Sequence, residues 1–363
     1  MTQSRFIVVM AGGRGERFWP QSRQKKPKQL LPIVGNESLL TQTVHRVEGL
    51  VPLENVFVIT NADYADEVRA LCPMIPAENV VAEPVGRDTA AAVGLGSLLV
   101  ALRDENASLA VLPSDHVIHD AEAFREVLGT AFEAAESGDF LVTIGIAPEF
   151  PATGYGYIRR GGECMRLGSL PVYEVRRFEE KPDLATAKKY VESGEFYWNA
   201  GMFVWTVPAL AKALKTHAGD IADAFQGMAE KVRAGTPLAD ALAHGYPAIR
   251  KISIDRALME KAGNVLTIPS VFDWDDVGSW PSLAKHLPTD TRGNVTRGRA
   301  VVLEGSGNIV VSGEGHLVSI LGLSNLIVVH TGDVTMICPR DRAQEIRSLV
   351  KTVGDNPDTA DRV

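Results

Sequence analysis

The fold is decided by residues 6–18, Phe6-Ile7-Val8-Val9-Met10-Ala11-Gly12-Gly13-Arg14-Gly15-Glu16-Arg17-Phe18. The opening five residues form a continuous apolar run, the pattern of a strand covered on both faces. A glycine-rich turn follows at once. In an open α/β sheet, ligands bind beyond the carboxyl ends of the strands, and a turn lacking Cβ atoms there lets backbone N–H groups approach phosphates. Spacing excludes two familiar phosphate-binding patterns. A G-x-G-x-x-G fingerprint begun at Gly13 needs glycine at position 18, where Phe18 stands, and G-x-x-x-x-G-K-[ST] is absent. What remains is G-G-x-G-x-R, with Pro27-Lys28 further on. Arg17 and Lys28 are two cations suited to nucleotide phosphates. An ordinary glycine turn with surface cations is the plain alternative. Three glycines and two cations directly after the first strand weigh against it.

Outward from this stretch the chain alternates strands and helices. Residues 38–50 carry Leu39, Leu40, Val44 and Val47 at helical spacing. Strands are expected at 56–59, 80–81, 109–112 and 141–144. Helices are expected at 62–71, 91–102 (capped by Asp88) and 121–136. This βαβα rhythm predicts an α/β fold, a doubly wound, mostly parallel sheet. From residue 150 the pattern is mixed. It predicts strands at 155–160, 172–178 and 201–207, a helix at 184–192, and helices over much of 208–262. Five short β runs between residues 300 and 337 then predict a small C-terminal β-helix-like domain. A helix over 342–350 closes it, and residues beyond 354 are expected to fray. The expected division is 1–288 for a catalytic domain and 289–363 for the stacked-β domain.

Composition bounds the function. The 363 residues are 45% apolar and 23% charged, with Gly 33 and Pro 20, which excludes collagen-like, low-complexity and disordered chains. A core of this size needs no disulfide or structural metal. With 37 basic and 45 acidic residues, the net charge of −8 argues against nucleic-acid binding. Any anionic ligand must be held by a local cluster of cations and N–H groups. Cys72, Cys164 and Cys338 are odd in number and form no CxxC, which fits a reducing compartment. No signal-peptide core and no membrane-length apolar run is present, so the expectation is a cytoplasmic protein with no membrane partner.

Further motifs each admit a plain reading. Glu83-Pro84-Val85-Gly86-Arg87-Asp88-Thr89 sits between a strand and a helix, where capping by Asp88 and Thr89 is enough to explain it. Leu112-Pro113-Ser114-Asp115-His116 ends a buried strand, and its carboxylate serves equally as a turn or cap. His116 and His119 lack a third ligand, so zinc is rejected. Thr153-Gly154-Tyr155-Gly156-Tyr157 reads as a turn with aromatic flanks, and Phe178-Glu179-Glu180-Lys181-Pro182 as a solvated charged turn. Trp198-Asn199-Ala200-Gly201 reads as a turn into a buried strand. Phe272-Asp273-Trp274-Asp275-Asp276-Val277-Gly278 crowds three carboxylates that repel unless a cation neutralises them. Magnesium, which takes one or two carboxylates plus phosphate and water oxygens, is the natural cation.

Taken in this order, the motifs resemble the sugar-1-phosphate nucleotidylyltransferases. The Ala11–Pro20 stretch and Pro27-Lys28-Gln29-Leu30-Leu31-Pro32 look like that family's mannose-1-phosphate guanylyltransferase branch. The resemblance covers roughly residues 6 to 281, and the tail from Gly293 to Gln344 looks like the family's β appendage. It implies GTP and mannose-1-phosphate as substrates. GMP is transferred to the sugar phosphate, giving GDP-mannose and pyrophosphate. It also implies roles. Gly12, Gly13 and Gly15 cradle the triphosphate, and Arg17 and Lys28 offset phosphate charge. Glu83, Arg87 and Thr89 read the base, with Asp88 standing where the family more often has Asn. Gly154, Tyr155, Glu180 and Asn199 line the sugar pocket, and Lys181 binds its phosphate. Asp115 and Asp276 hold Mg²⁺, with Asp273 and Asp275 further out. Some family members continue into a sugar isomerase domain, and no such activity is expected of this chain. A homodimer formed through the tail is expected.

Three rivals stay in view. One is the same chemistry on another sugar-1-phosphate, such as a heptose phosphate, or with another base. Another is a glycosyltransferase, for which Asp273-Trp274-Asp275 supplies a D-x-D late in the chain. The last is a non-catalytic nucleotide-binding relative, which would not need Arg17, Lys28, Lys181, Asp115 and Asp276 together.

Overall fold

The computed structural model describes residues 3–13, 15–313 and 315–363. Met1, Thr2, Glu314 and, within the glycine-rich motif, Arg14 lie outside the described residues. The chain clusters into two compact units. One comprises Met1–Gly12, Val44–Ser114 and Ile118–Trp274, the other Gly13–Thr43, Asp115–Val117 and Asp275–Val363.

The first unit is built on a nine-stranded sheet. Its strands are β1 (Arg5–Ala11), β2 (Val56–Asn61), β3 (Val80–Glu83), β4 (Ser108–Pro113), β5 (Leu141–Ile146), β6 (Gly156–Leu167), β7 (Leu170–Glu180), β8 (Phe196–Thr206) and β9 (Val265–Pro269). They lie in the order β3-β2-β1-β4-β8-β5-β9-β7-β6. β1 pairs in parallel with β2 and β4, β2 with β3, and β5 with β9. β8 lies antiparallel between β4 and β5, and β7 runs antiparallel to both β9 and β6. All strands except β7 and β8 therefore point the same way, the mostly parallel sheet that the alternation predicts.

Helices cover both faces. The helices of this unit are α2 (Ala65–Leu71), α3 (Thr89–Arg103), α4 (Ala121–Glu136), α5 (Leu184–Ser193), α6 (Val207–His217), α7 (Gly219–Arg233) and α8 (Leu238–Gly245), and α1 (Leu39–Arg46) runs from the second unit into the first. Phe6 and Val8 of β1 join one core with α3, α6, α7 and α8, through residues such as Val93, Leu210, Ile221 and Leu242. Their neighbours Ile7 and Val9 are equally buried, as a strand covered twice requires. α4 buries Phe124, Val127 and Leu128 and packs on β4, β5 and β8.

The second unit contains a coil of parallel strands. β10 (Val295–Arg297), β12 (Ile309–Ser312) and β14 (Leu326–His330) stack in parallel, with β15 (Thr335–Pro339) antiparallel at the end. β11 (Arg299–Leu303) and β13 (Leu317–Leu321) stack alongside. Arg299 faces Leu317 and Ile309 faces Ile327, 18 residues apart in each case (317 − 299 and 327 − 309), while Val295 faces Ile309, 14 residues on (309 − 295). This is a β-helix-like stack. Val310, Ile320 and Val328, with Ala300, Val302 and Val318, pack between its two sheets, while Ile309, Val311, Ile327 and Val329, on the other face of β12 and β14, share one core with Phe18, Trp19, Leu31, Ile33 and Trp280. Two helices, α9 (Trp280–Leu283) and α10 (Ile346–Asp355), complete the unit.

Several expectations need correction. The helix read over 38–50 stops at Arg46, where the chain tightens into turns (Val47 N–H to the Val44 carbonyl, 3.2 Å). β8 begins at Phe196, five residues before the expected 201, because it also pairs with β6. The closing helix is a 3-10 stretch, Arg340–Glu345, followed by α10. Residues beyond 354 do not fray. α10 runs to Asp355, a turn forms at Ala360–Arg362, and the Trp19 indole donates to the Arg362 carbonyl at 2.8 Å. β9 and β10 have no counterpart in the sequence reading. No helix among the described residues is long and apolar enough to cross a membrane.

Candidate active site

In the second unit the glycine-rich turn leads into a single 3-10 turn, Glu16–Phe18, capped by Gly15. Gly15 has φ 59°, and a Cβ on it would overlap the Lys28 Cβ. Only glycine lets the two segments approach so closely. The Gly15 carbonyl accepts from the Ser22 hydroxyl (2.7 Å), and the Gly13 carbonyl from Gln29 Nε2 (3.2 Å).

Lys28 is 4% exposed. Its Nζ donates to the Asp115 carboxylate (3.0 Å), the Asp115 carbonyl (3.0 Å) and the Asp276 carbonyl (2.6 Å). A bridge between Val117 and Asp275 sets their two segments side by side, which brings Asp115 and Asp276 to the same ammonium. The Asp276 carboxylate accepts from the Gly278 N–H at 3.1 Å. A Cβ on Gly278 would lie 2.9 Å from that carboxylate and 3.4 Å from Arg17 Nη1, so Arg17 and Asp276 crowd one glycine. Arg17 also donates to Gln344 Oε1 (3.2 Å). Burial alone would push the Asp115 carboxyl up, but Lys28 and His116 beside it hold it below the ordinary value.

This donor set suits a hard divalent cation. Magnesium needs one or two protein carboxylates and takes phosphate and water for the rest. Among the described residues no cluster of three or more His, Cys, Asp or Glu is arranged to hold a metal. The neighbouring acids are otherwise engaged. Asp275 accepts from the Val277 N–H (2.6 Å) and faces Lys285 and His286. In the first unit, Asp273 accepts from the backbone of His119 and Asp120 and pairs with the His119 ring (2.6 Å). The D-x-D pattern is therefore occupied by structural contacts at both acids.

The first unit gathers two further groups. Glu83 ends β3, and a Cβ on Gly12 would lie 3.7 Å from its carboxylate. The Tyr246 hydroxyl donates to Glu83. Burial pushes the Glu83 carboxyl up, partly opposed by that hydrogen bond, and burial beside Glu83 pushes the Tyr246 phenol up. Arg87 donates to the Pro247 carbonyl. The Thr89 hydroxyl accepts from the Ile254 N–H (2.9 Å). Glu83, Arg87 and Thr89 are thus all held by residues 246–254, a segment that sequence reasoning did not connect with them.

In the second group, Lys181 pairs with Glu180, and its N–H donates to the Tyr155 carbonyl (3.2 Å). Lys181 has φ 52°, a left-handed conformation rare outside glycine. The Tyr155 ring packs edge-on against Trp198 (5.1 Å) and Trp274 (5.4 Å). Gly154 stands in the open, where a Cβ would meet nothing within 4 Å. Asn199 donates to Asp255 (3.0 Å) and accepts from the Gly201 N–H (3.1 Å). Asp255 is absent from the sequence reading. Burial, and Glu180 facing it, push its carboxyl up to about 7. It lies in the stretch 208–262, much of which is expected to be helical, and an acid there carries no motif.

The sequence matches the nucleotidyl transferase family over residues 7–293 and the MannoseP isomerase/GMP-like beta-helix domain over residues 298–353. It is 38% identical to a mannose-1-phosphate guanylyltransferase of Escherichia coli K12, across 97% of this chain and 74% of that protein. It is 36% identical to the alginate biosynthesis protein AlgA of Pseudomonas aeruginosa, across 95% of this chain and 71% of that one. A crystal structure from Thermus thermophilus, described as a mannose-1-phosphate "geranyltransferase", superposes with a TM-score of 0.83 at 38% identity, over 96% of this chain and 99% of that one.

Proposed function

The chain belongs to the nucleotidyl transferase family, and from that premise we propose that it transfers GMP from GTP to mannose-1-phosphate, giving GDP-mannose and pyrophosphate. The observation that carries this reading is Lys28, a buried ammonium held by both Asp115 and Asp276. An ammonium carries three N–H donors, and here three hydrogen bonds run to these two aspartates. Lys28 draws together the two aspartates whose carboxylates a phosphate-bound cation would use.

A phosphate oxygen of mannose-1-phosphate attacks the α-phosphorus of GTP in line, and pyrophosphate leaves. The nucleophile is already ionised near neutral pH, so no strong general base is required. Catalysis then rests on positioning and charge stabilisation. N–H groups of Gly12, Gly13 and Gly15 bind the triphosphate, and Arg17 and Lys28 offset charge on the transferring and leaving phosphates. Glu83, Arg87 and Thr89 bind the base. Gly154, Tyr155, Glu180 and Asn199 bind the sugar, and Lys181 orients the attacking phosphate. Asp115 and Asp276 would hold Mg²⁺, which when bound supplies charge neutralisation to the phosphates.

We further propose a homodimer through the outward face of β11 and β13. Val301, Leu303, Leu317 and Leu321 are each more than half exposed there, and Leu303 sits directly opposite Leu321. Apart from Arg299 this face is uncharged, so a second copy can cover it by a two-fold, like-on-like contact.

The test of function is pyrophosphate release with GTP, Mg²⁺ and mannose-1-phosphate. Parallel wells carry glucose-1-phosphate, a heptose-1-phosphate, and ATP, UTP or dTTP in place of GTP. Release confined to GTP with mannose-1-phosphate supports the reading. Release with another pair keeps the chemistry and replaces the sugar or base. Silence from folded protein that binds GTP points to a non-catalytic relative.

A further inference from the structure

We propose that Asp255 is a positioning residue of the sugar-binding group, holding the Asn199 amide in the one orientation that leaves an N–H free for the sugar. The inference rests on the function proposed above. The two faces of the Asn199 amide are fixed by opposite chemistry. On one side the Gly201 N–H, a donor only, points at Asn199 Oδ1 (3.1 Å), and the Thr143 hydroxyl lies equally near (3.1 Å). On the other side a carboxylate, an acceptor only when ionised, receives Asn199 Nδ2 at 3.0 Å. Flipping the amide would set donor against donor and acceptor against acceptor. Nδ2 carries two hydrogens, and Asp255 takes one.

The backbone supports the same reading. Asp255 opens a five-residue π-helical turn, Asp255–Met259, pinned by buried Ala257, Leu258 and Met259. Such turns are rare and occur frequently at functional sites. The preceding Ile254 is fixed through the Thr89 hydroxyl. The groups facing Asp255 are Glu180, Lys181 and Glu260, and Glu260 also accepts from the Glu180 N–H at 3.2 Å. Keeping an acid against two others works against stability, and a neutral side chain would close the turn more cheaply. What the amide orientation requires is an acceptor, and the ionised carboxylate can do nothing but accept.

The experiment is steady-state kinetics of Asp255→Ala and Asp255→Asn with GTP and mannose-1-phosphate, at several pH values, with thermal melting of each variant. Losing a charged acceptor is expected to raise KM for mannose-1-phosphate about tenfold or more in Asp255→Ala, equivalent to about 1.4 kcal/mol. KM for GTP should stay within about twofold. Asp255→Asn retains an acceptor oxygen and should recover part of the loss. In the wild type, KM for the sugar phosphate should rise as pH falls through about 7, where the carboxylate is protonated. The Asp255→Asn profile should lack that component. Equal changes in both KM values, or an unchanged pH profile in Asp255→Asn, overturn the proposal. If Asp255→Ala does not fold, the Asn profile decides alone. A wild type that releases no pyrophosphate from this pair overturns the functional reading and the inference with it. Activity in the wild type with no KM separation in the variants overturns the inference only.

Discussion

Replacing Lys28 with methionine separates the two things this lysine does. Methionine keeps an unbranched stem beside the Phe18 ring, 5.6 Å from the present ammonium, and removes only the charge. Three acceptors lose their donor: the Asp115 carboxylate and carbonyl and the Asp276 carbonyl. The Asp115 side chain is 41% exposed, so water replaces the ammonium there and that loss is small. The carbonyls carry the folding cost, about 2 kcal/mol for buried acceptors left unpaired. The effect on rate is larger. A preorganised charge aimed at the reacting phosphates is worth about 10²–10³ in turnover. A urea titration reads the first quantity, and pyrophosphate release at saturating substrate reads the second. The acid limb of stability should move as well. Asp115 is held below its ordinary value, so it contributes stability above its unfolded value, near 3.9, and that contribution is lost as pH falls through the folded one. Without Lys28 the carboxyl rises, and acid unfolding should set in at higher pH. Turnover within about threefold of wild type in folded Lys28→Met would refute the assignment of this ammonium to the phosphates, since electrostatic removal cannot be that mild.

Lys181→Ala should lower turnover about 10²–10³-fold with an unchanged melting temperature, because its side chain is 57% exposed; near-normal turnover at saturating substrate counts against its role. Gly15→Ala should destabilise by about 2–4 kcal/mol, summing left-handed strain and overpacking against Lys28; a urea midpoint equal to wild type would show that the φ of 59° and the close approach to Lys28 relax without cost. Leu303→Glu with Leu321→Glu should leave folding intact and convert a dimer to a monomer in light scattering; a wild type that is already monomeric at micromolar concentration removes the basis for the dimer.

The legible part of the fold is the part whose local pattern and tertiary role agree. Phe6–Met10 reads as a doubly covered strand because every residue in it is apolar, and helices do cover both faces. β9 was invisible for the opposite reason. Val265–Pro269 is five residues long and holds a threonine and a proline. It becomes a strand only because β5 and β7 offer ladders on either side. The same contrast governs the site. Lys28, Asp115 and Asp276 stand in recognisable motifs, and the structure gathers them on one ammonium. Asp255 stands in no motif. Its place in the proposal comes from an amide 56 positions earlier in the chain, a relation that only the folded chain creates, between a strand and a π-helical turn. The segment 246–254 makes the point more generally. Tyr246, Pro247 and Ile254 hold Glu83, Arg87 and Thr89 through one hydroxyl, one carbonyl and one N–H. Two of those three groups are backbone, which every residue type possesses. Sequence reveals which side chains can meet a ligand, while much of what fixes them in place is main chain and leaves no mark in residue identity.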